Sequence, residues 1–398
     1  MTIVHPIDRA WITTGGTGAQ NYDEFADDAE ITAIIADNPR SALAVEMPHL
    51  APETLGRSFA ESLPAAAERL AQAKASGGYA PADQVIVLYR IADPDGGNAA
   101  YGMYCMVDTD QISTSPDEPG LVIRNEDVFI EKVRERVELA TTLRNLLSPV
   151  LLLQTGTGDR LHEQLEYAVA HAGEPAATDV DPAGRVHAIW TVPAGPVRDE
   201  LCALAGGGEL VVADGNHRSL AAQTGGYPRF LAVITTPESL VIAPYNRLIK
   251  LSIGVTELGD RLRAAGLQPE PVAGGPSVPP AGGTIQLYVG GETYSVKLPS
   301  NGRADLVDAM DHALVERMLV NEVLGLDAGD KRIVYVGGDY PAEWLRAEVD
   351  AGRADLAVLI APVTVNEFVA VNLARQKMPR KSTWFTPKAR GGLVVAEI

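Results

Sequence analysis

Cysteine is nearly missing from this chain: Cys105 and Cys202 are the two in 398 residues. They lie far apart and form no CxxC pair. That argues against a disulfide framework and suits incidental thiols in a reducing cytoplasm. Basic charge is also short, with 33 Lys and Arg against 52 Asp and Glu, a formal net charge of −19. Duplex binding leaves a basic footprint, so nucleic acid is not an expected partner. The acidic excess reads as a solvated, solubilising face. Long apolar runs are lacking too. Val150-Leu151-Leu152-Leu153 is too short to span a bilayer, and Met1 to Ala10 carries His5, Asp8 and Arg9 instead of an apolar signal region. The expectation is a soluble cytoplasmic protein with no membrane partner.

Familiar phosphate-binding and catalytic signatures are absent as well. There is no GxxxxGK[ST] loop, and the glycines at 15–16 and 156–158 do not fit GxGxxG. HExxH, GxSxG and the protein-kinase set do not occur. His49, His162, His171, His187 and His312 are scattered without metal-ligand spacing. No internal repeat is visible.

What is present is an ordinary globular balance, 46% apolar and 21% charged residues, over a length that predicts two or three lobes. Periodicity predicts helices over 24–37, 52–75, 125–147, 162–172, 306–324, 342–349 and 367–375. It predicts strands at 42–45, 85–89 and 100–107, the last two joined across the turn-forming segment 93–97. Further strands are expected at 150–154, 186–191, 209–213, 230–234, 246–251, 285–289, 294–298, 333–336, 356–360 and 393–395. The Pro/Gly-rich stretch 269–283 reads as a flexible loop or lobe connection. Hairpins mixed with helical crossovers indicate a mixed α/β (α+β) fold, not a fully parallel doubly wound sheet.

Three segments carry candidate chemistry. In Ala213-Asp214-Gly215-Asn216-His217-Arg218, a buried strand runs into a helix start, where backbone N–H groups favour an anion. Gly215 permits close approach, Arg218 can fork onto phosphate oxygens, and Asp214 can cap the helix, hold a divalent cation or orient His217. An ordinary capped helix whose His and Arg face water would be spelled the same way. The second segment, Lys377 to Arg390, holds five cations, the hydroxyls of Ser382 and Thr383, and the aromatic pair Trp384-Phe385. It suits a phosphate or carboxylate clamp, although a solvated basic tail beside a buried aromatic pair is the plainer alternative. The third, Arg124-Asn125-Glu126-Asp127, opens a charged stretch through Lys132, Arg134 and Arg136. Glu126 there can serve as a general base, yet acidic residues in a first helical turn are common.

These segments, with Asn38-Pro39-Arg40-Ser41, Ser148-Pro149-Val150 and Ala243-Pro244-Tyr245-Asn246-Arg247, resemble a large bacterial and archaeal family of uncharacterised domains. That family looks related to the ADP-dependent free serine kinases of the ParB/sulfiredoxin-like fold. Residues 213–218 are similar to its ADGHHR, 243–247 to its LPYNR, and 378–393 to its MPPKSTWFxPKxRxGL. The resemblance implies a ParB/sulfiredoxin-like nucleotide-binding core at 121–265, an N-terminal α/β lobe at 1–120, a connection at 266–283, and a C-terminal α/β lobe at 284–398. It implies Glu126 as catalytic base, with Asp214 and His217 also catalytic and Asp214 on Mg²⁺. Gly215, Asn216, Arg218, Lys381, Ser382 and Thr383 would bind phosphate. Arg380, Trp384, Lys388 and Arg390 would face the substrate.

Three departures stand out. Asn125 and Asn216 replace histidines of the resembled motifs, and Arg380 replaces a proline. Asn keeps hydrogen bonding but carries no proton or charge at neutral pH. The resemblance therefore implies a kinase acting on the hydroxyl of a small molecule, free L-serine or a related hydroxy amino acid, with ADP or ATP as donor. It also leaves room for a non-catalytic nucleotide-binding switch or scaffold. The expected partners are a nucleotide and a small polar substrate, with self-association left open. Both readings need Glu126, Arg218 and Lys381 to converge on one cationic pocket.

Overall fold

The computed structural model describes residues 2–398 apart from 19, 23, 26, 114–119, 127, 129 and 300–304. The chain forms two compact units, Met1–Leu240 with Pro387–Ile398, and Val241–Thr386. Both combine sheets with helices, so the mixed α/β class is as expected.

The first unit is built on one large twisted sheet. Its order is Val122–Ile123, Leu210–Asp214, Val150–Gln154, Arg229–Thr235, Ala99–Asp108, Tyr79–Ala92, Ile7–Thr13, Val394–Glu397, Asn145–Leu146. Val186–Val192 adds to Tyr79–Ala92, and Ala177–Val180 pairs with it in turn. Most neighbours are antiparallel, and Ile7–Thr13 keeps partly solvated residues, Asp8, Arg9 and Trp11, among buried ones. The central strands, buried on both faces, are continuously apolar: Leu151, Leu152, Val211, Val212, Ala232 and Ile234 are all buried. Cys105 and Cys202 are free thiols in this core.

The second unit has a six-stranded antiparallel sheet, Pro269–Val272, Glu292–Lys297, Thr284–Val289, Leu356–Ile360, Asn246–Ile249, Ile333–Val336, and a separate pair, Val241–Ala243 with Trp384–Thr386. Leu287, Val289, Leu356, Val358 and Ile360 form its core with Leu258, Leu262, Leu314 and Leu319.

This division differs from the three expected lobes, because strand pairing ignores their borders. Ala99–Asp108 pairs with Arg229–Thr235, and Ile7–Thr13 pairs with Val394–Glu397. Other expectations need correction. Residues 42–45 do not form a strand; Leu43–Glu46 is a short helix. The helix expected at 52–75 starts at Phe59, where Ser58 and Glu61 make a capping box. Pro269–Val272 is no loop but an edge strand pairing with Thr293–Val296; only an edge tolerates its prolines, which lack the N–H a central strand would use. The helix expected over 306–324 is α-helical at Asp311–Leu314 and widens into a π-helix at Val315–Val323. Among the described residues no helix is long and apolar enough to cross a membrane.

Candidate functional site

Two neighbouring strands of the first unit run in parallel, the second continuing through Asp214 beyond the last residue paired with the first. Val122 lies opposite Leu210 and Ile123 opposite Val211. The chain leaving the first strand is Arg124-Asn125-Glu126; the chain leaving the second continues as Gly215-Asn216-His217-Arg218. Val150–Gln154, antiparallel to Leu210–Asp214, begins at the same end and brings Ser148 and Pro149 with it. Ligands of open α/β sheets collect outside such carboxyl ends. Glu126 sits in the connection before the helix Ile130–Leu143, not in that helix's first turn as the sequence suggested. Asp127 lies outside the described residues.

The turn into the second segment is tightly specified. A register shift between Val212 and Asp214 marks a bulge against Leu152 and Leu151, a device that re-aims a strand's side chains. Gly215 follows at φ +95°, and a Cβ there would lie 3.0 Å from Arg218 Nε and 3.2 Å from Val150 Cα. Both the left-handed backbone and the close approach require glycine. The helix Asn216–Thr224 then begins.

Arg218, 9% exposed, donates to the Pro149 carbonyl at 2.6 Å and to the Asp214 carboxylate at 2.9 Å. This fixes the guanidinium against the strand end. The two motif departures meet: Asn216 Nδ2 donates to Oδ1 of the buried Asn125. Asn216 Oδ1 is buried with no hydrogen-bond partner among the described residues. His217 and Glu126 are half-buried at the same strand end.

No group of three or more His, Cys, Asp or Glu suited to a metal occurs among the described residues. The local donors include one Asp214 oxygen beyond the one given to Arg218, and the Asn216 carbonyl. That set fits a Mg²⁺ held mainly by phosphates and water, not a protein-built cage.

The basic C-terminal stretch is shared between the units. In the second unit, Lys381 adopts φ +53° with Nζ 5.5 Å from the Tyr245 ring centroid. Ser382 is buried, and its Oγ has no hydrogen-bond partner among the described residues. Trp384 is core: it meets Tyr245 edge-on at 5.6 Å, and a Cβ on Gly337 would lie 2.3 Å from its ring. In the first unit, Lys388 and Arg390 are both buried. Arg390 is ion-paired with Glu24 and Asp181. Trp384 and Arg390, expected to face substrate, therefore pack within their own units.

Sequence reasoning gave Arg247 no role. It is fully buried in the second unit, donates to the Tyr245 and Asn246 carbonyls at 2.9 and 3.2 Å, and lies 4.3 Å from the Tyr335 ring. Burial pushes up the carboxyl of Glu316, at the start of the π-helix, while the charges of Arg247 and Arg380 pull it down. The only signal for this cluster in the sequence was the motif at 243–247.

The chain belongs to the family described as "Protein of unknown function (DUF1015)", whose model matches residues 17–314. Among solved structures it is similar to a free serine kinase in complex with AMP, at 14% identity and a TM-score of 0.40, covering 73% of this chain and 92% of that one. A mutant of a free serine kinase in complex with ADP is similar at 13% identity and a TM-score of 0.41, over 73% and 92% of the two chains. A conserved hypothetical protein from Pyrococcus furiosus has 15% identity and a TM-score of 0.39, over 72% and 93%. No curated protein matches the chain.

Proposed function

We propose that the strand end bearing Asp214–Arg218 holds the phosphates of a nucleotide, and that the protein transfers a phosphoryl group from ADP or ATP to the hydroxyl of a small molecule. Free L-serine or a related hydroxy amino acid is the leading substrate. The observation that carries this reading is the meeting of the segments that leave two neighbouring parallel strands, where Asn216 bonds Asn125 and so sets Gly215, a helix start and the clamped Arg218 beside the Glu126 segment. A phosphate fits there: helix N–H groups and a guanidinium favour anions, and glycine clears the approach.

The roles follow from position and chemistry. The substrate hydroxyl oxygen attacks the terminal phosphorus while Glu126 accepts its proton, and the donor leaves as AMP from ADP or ADP from ATP. Gly215, Asn216 and Arg218 hold the donor phosphates with His217. Mg²⁺ on the phosphates would be steadied by Asp214, and it would neutralise charge on the moving group. Lys381, Ser382 and Thr383 are assigned to the transferred phosphate, with Arg380 and Lys388 nearby in sequence. Trp384 and Arg390 are assigned packing roles.

The contact between Asn125 and Asn216 favours a second reading, a nucleotide-binding switch without turnover, because two paired amides shuttle no proton. Calorimetric titration with ADP, ATP and CTP beside a phosphoserine assay separates the two. Binding with product formation, lost in Glu126→Gln, supports the kinase; binding without product across hydroxy amino acids supports the switch. Failure to bind any nucleotide would sink both.

A further inference from the structure

The first unit contains a pocket, partly open to solvent, between the helices Ile130–Leu143 and Asn216–Thr224 and the start of the Val150 strand; its empty space, open solvent included, is about 550 Å³. Much of its wall is apolar, including Leu139 and Phe230. Its polar lining includes Arg136, Glu46, Asn145, Ser148 and Arg218.

Arg136 is the unusual member. It is 8% exposed, with its guanidinium carbon 4.5 Å from the Tyr22 ring centroid and 5.1 Å from that of Phe59. Among the described residues one terminal nitrogen reaches only the Met47 sulfur, at 3.6 Å, and the other has no hydrogen-bond partner. Aromatic faces stabilise the cation but do not saturate its donors. A buried charge whose donors are not satisfied is costly, and Arg136 makes no ion pair among the described residues, so a guanidinium left this way beside a cavity suits an incoming anion. Ser148 Oγ, also buried without a hydrogen-bond partner among the described residues, lines the same space. Glu46, 2% exposed, supplies a negative charge there.

A cation with open donors and a carboxylate in one cavity complement a zwitterion. We propose that this cavity binds a free α-amino acid, its carboxylate on Arg136 and Ser148 and its ammonium facing Glu46. Arg218 borders both the cavity and Asp214, so the far end of the amino acid lies next to the phosphate site. The assignment rests on the kinase reading above for its purpose and names the substrate class.

The test is calorimetric titration of the full chain with L-serine, L-threonine and L-homoserine, and with lactate and ethanolamine, which each lack one charge. The amino acids are expected to bind, and lactate and ethanolamine to bind roughly tenfold more weakly or worse, the worth of one charge-assisted hydrogen bond. Arg136→Met and Glu46→Gln should each weaken amino-acid binding by a similar roughly tenfold factor, with ADP affinity unchanged. Arg136→Lys, which keeps the charge, should retain part of it and covers the case that Arg136→Met fails to fold. The proposal is overturned if the variants bind amino acids as wild type does, if lactate or ethanolamine binds equally well, or if ADP binds and no amino acid does. Amino-acid binding without nucleotide binding would instead remove the kinase reading and leave the cavity assignment standing.

Discussion

Two arginines of the first unit are buried almost equally, yet their surroundings are opposite. Arg390, 3% exposed, is met by the carboxylates of Glu24 and Asp181. Asp181 also takes Arg185 at 2.8 Å and His187 at 3.2 Å. His187 meets the Tyr89 hydroxyl at 2.5 Å, and the Tyr104 hydroxyl donates to the Arg390 carbonyl at 2.8 Å. Burial by itself would raise the Asp181 carboxyl, but the His187 hydrogen bond and the Arg185 charge outweigh it and hold it well below the usual range. Arg136 has aromatic faces, a sulfur and a cavity. Burial of a guanidinium thus decides little; whether the chain supplies its counter-charge separates an anchor from a receptor.

The largest expected effect falls on the closed network. Arg390→Met would take the buried cation away from the Glu24 and Asp181 carboxylates and should cost about 3–5 kcal/mol of stability, read by denaturant unfolding. A cost near zero would mean that the network is not what fixes the C-terminal segment, and the contrast would fail at its stronger end.

The second unit offers an intermediate case. Arg247 is fully buried without a salt bridge among the described residues, and it stands near His312. Burial, reinforced by the Arg247 charge, pushes the His312 imidazole down to about 3. The unfolded chain, titrating near pH 6.5, takes up a proton that the folded unit refuses. The contribution is therefore intact above about pH 6.5 and declines as pH falls towards the folded value, by about 2 kcal/mol at pH 5. Burial lowers His187 as well, which gives a loss of the same sign, whereas Asp181 keeps its contribution until the unfolded carboxylate range near pH 4. Calorimetric melting from pH 7.5 to 5 should show the decline, and His312→Gln should flatten it. An unchanged slope in that variant would shift the acid sensitivity to the network around Asp181.

A smaller loss is expected where backbone alone is strained. Gly215→Ala places a Cβ against Arg218 and Val150 at positive φ, which should cost about 1–2 kcal/mol. Nucleotide affinity should fall with it, because the Arg218 clamp is what the new methyl meets. Wild-type ADP affinity in a folded Gly215→Ala protein would detach that clamp from phosphate binding.

How far these features could be read in advance varied with their physical origin. The strands at 150–154, 209–213 and 230–234 were legible because strands buried on both faces are continuously apolar. The motif at 213–218 was legible because a strand, a glycine and a helix start leave a local signature. Residues 42–45 were not, since a four-residue apolar run has no period to tell helix from strand. Pro269–Val272 was misread because proline marks loops and sheet edges alike, and only its partner strand decides. Arg136 stood in a charged helical stretch and looked solvated. Its burial comes from Tyr22 and Phe59, distant in sequence, and no local pattern records such a meeting. The split of 377–390 between two units was equally invisible, because chain continuity says nothing about which core a segment joins.

The smallest stability effect should come from Arg136→Met, and it tests the comparison most sharply. Methionine fills similar space between Tyr22 and Phe59, and the change leaves no carboxylate paired to Arg136 bereft. Replacing a poorly compensated buried charge with an apolar side chain is often neutral or favourable, so the change should stay within about 1 kcal/mol of wild type in either direction. Unfolding measured beside Arg390→Met under one set of conditions reads the difference directly. If the two cost the same, Arg136 is an anchor whose counter-charge the chain already supplies. If Arg136→Met is nearly neutral in stability yet loses amino-acid binding, the guanidinium is held in place for a ligand that is not part of the fold.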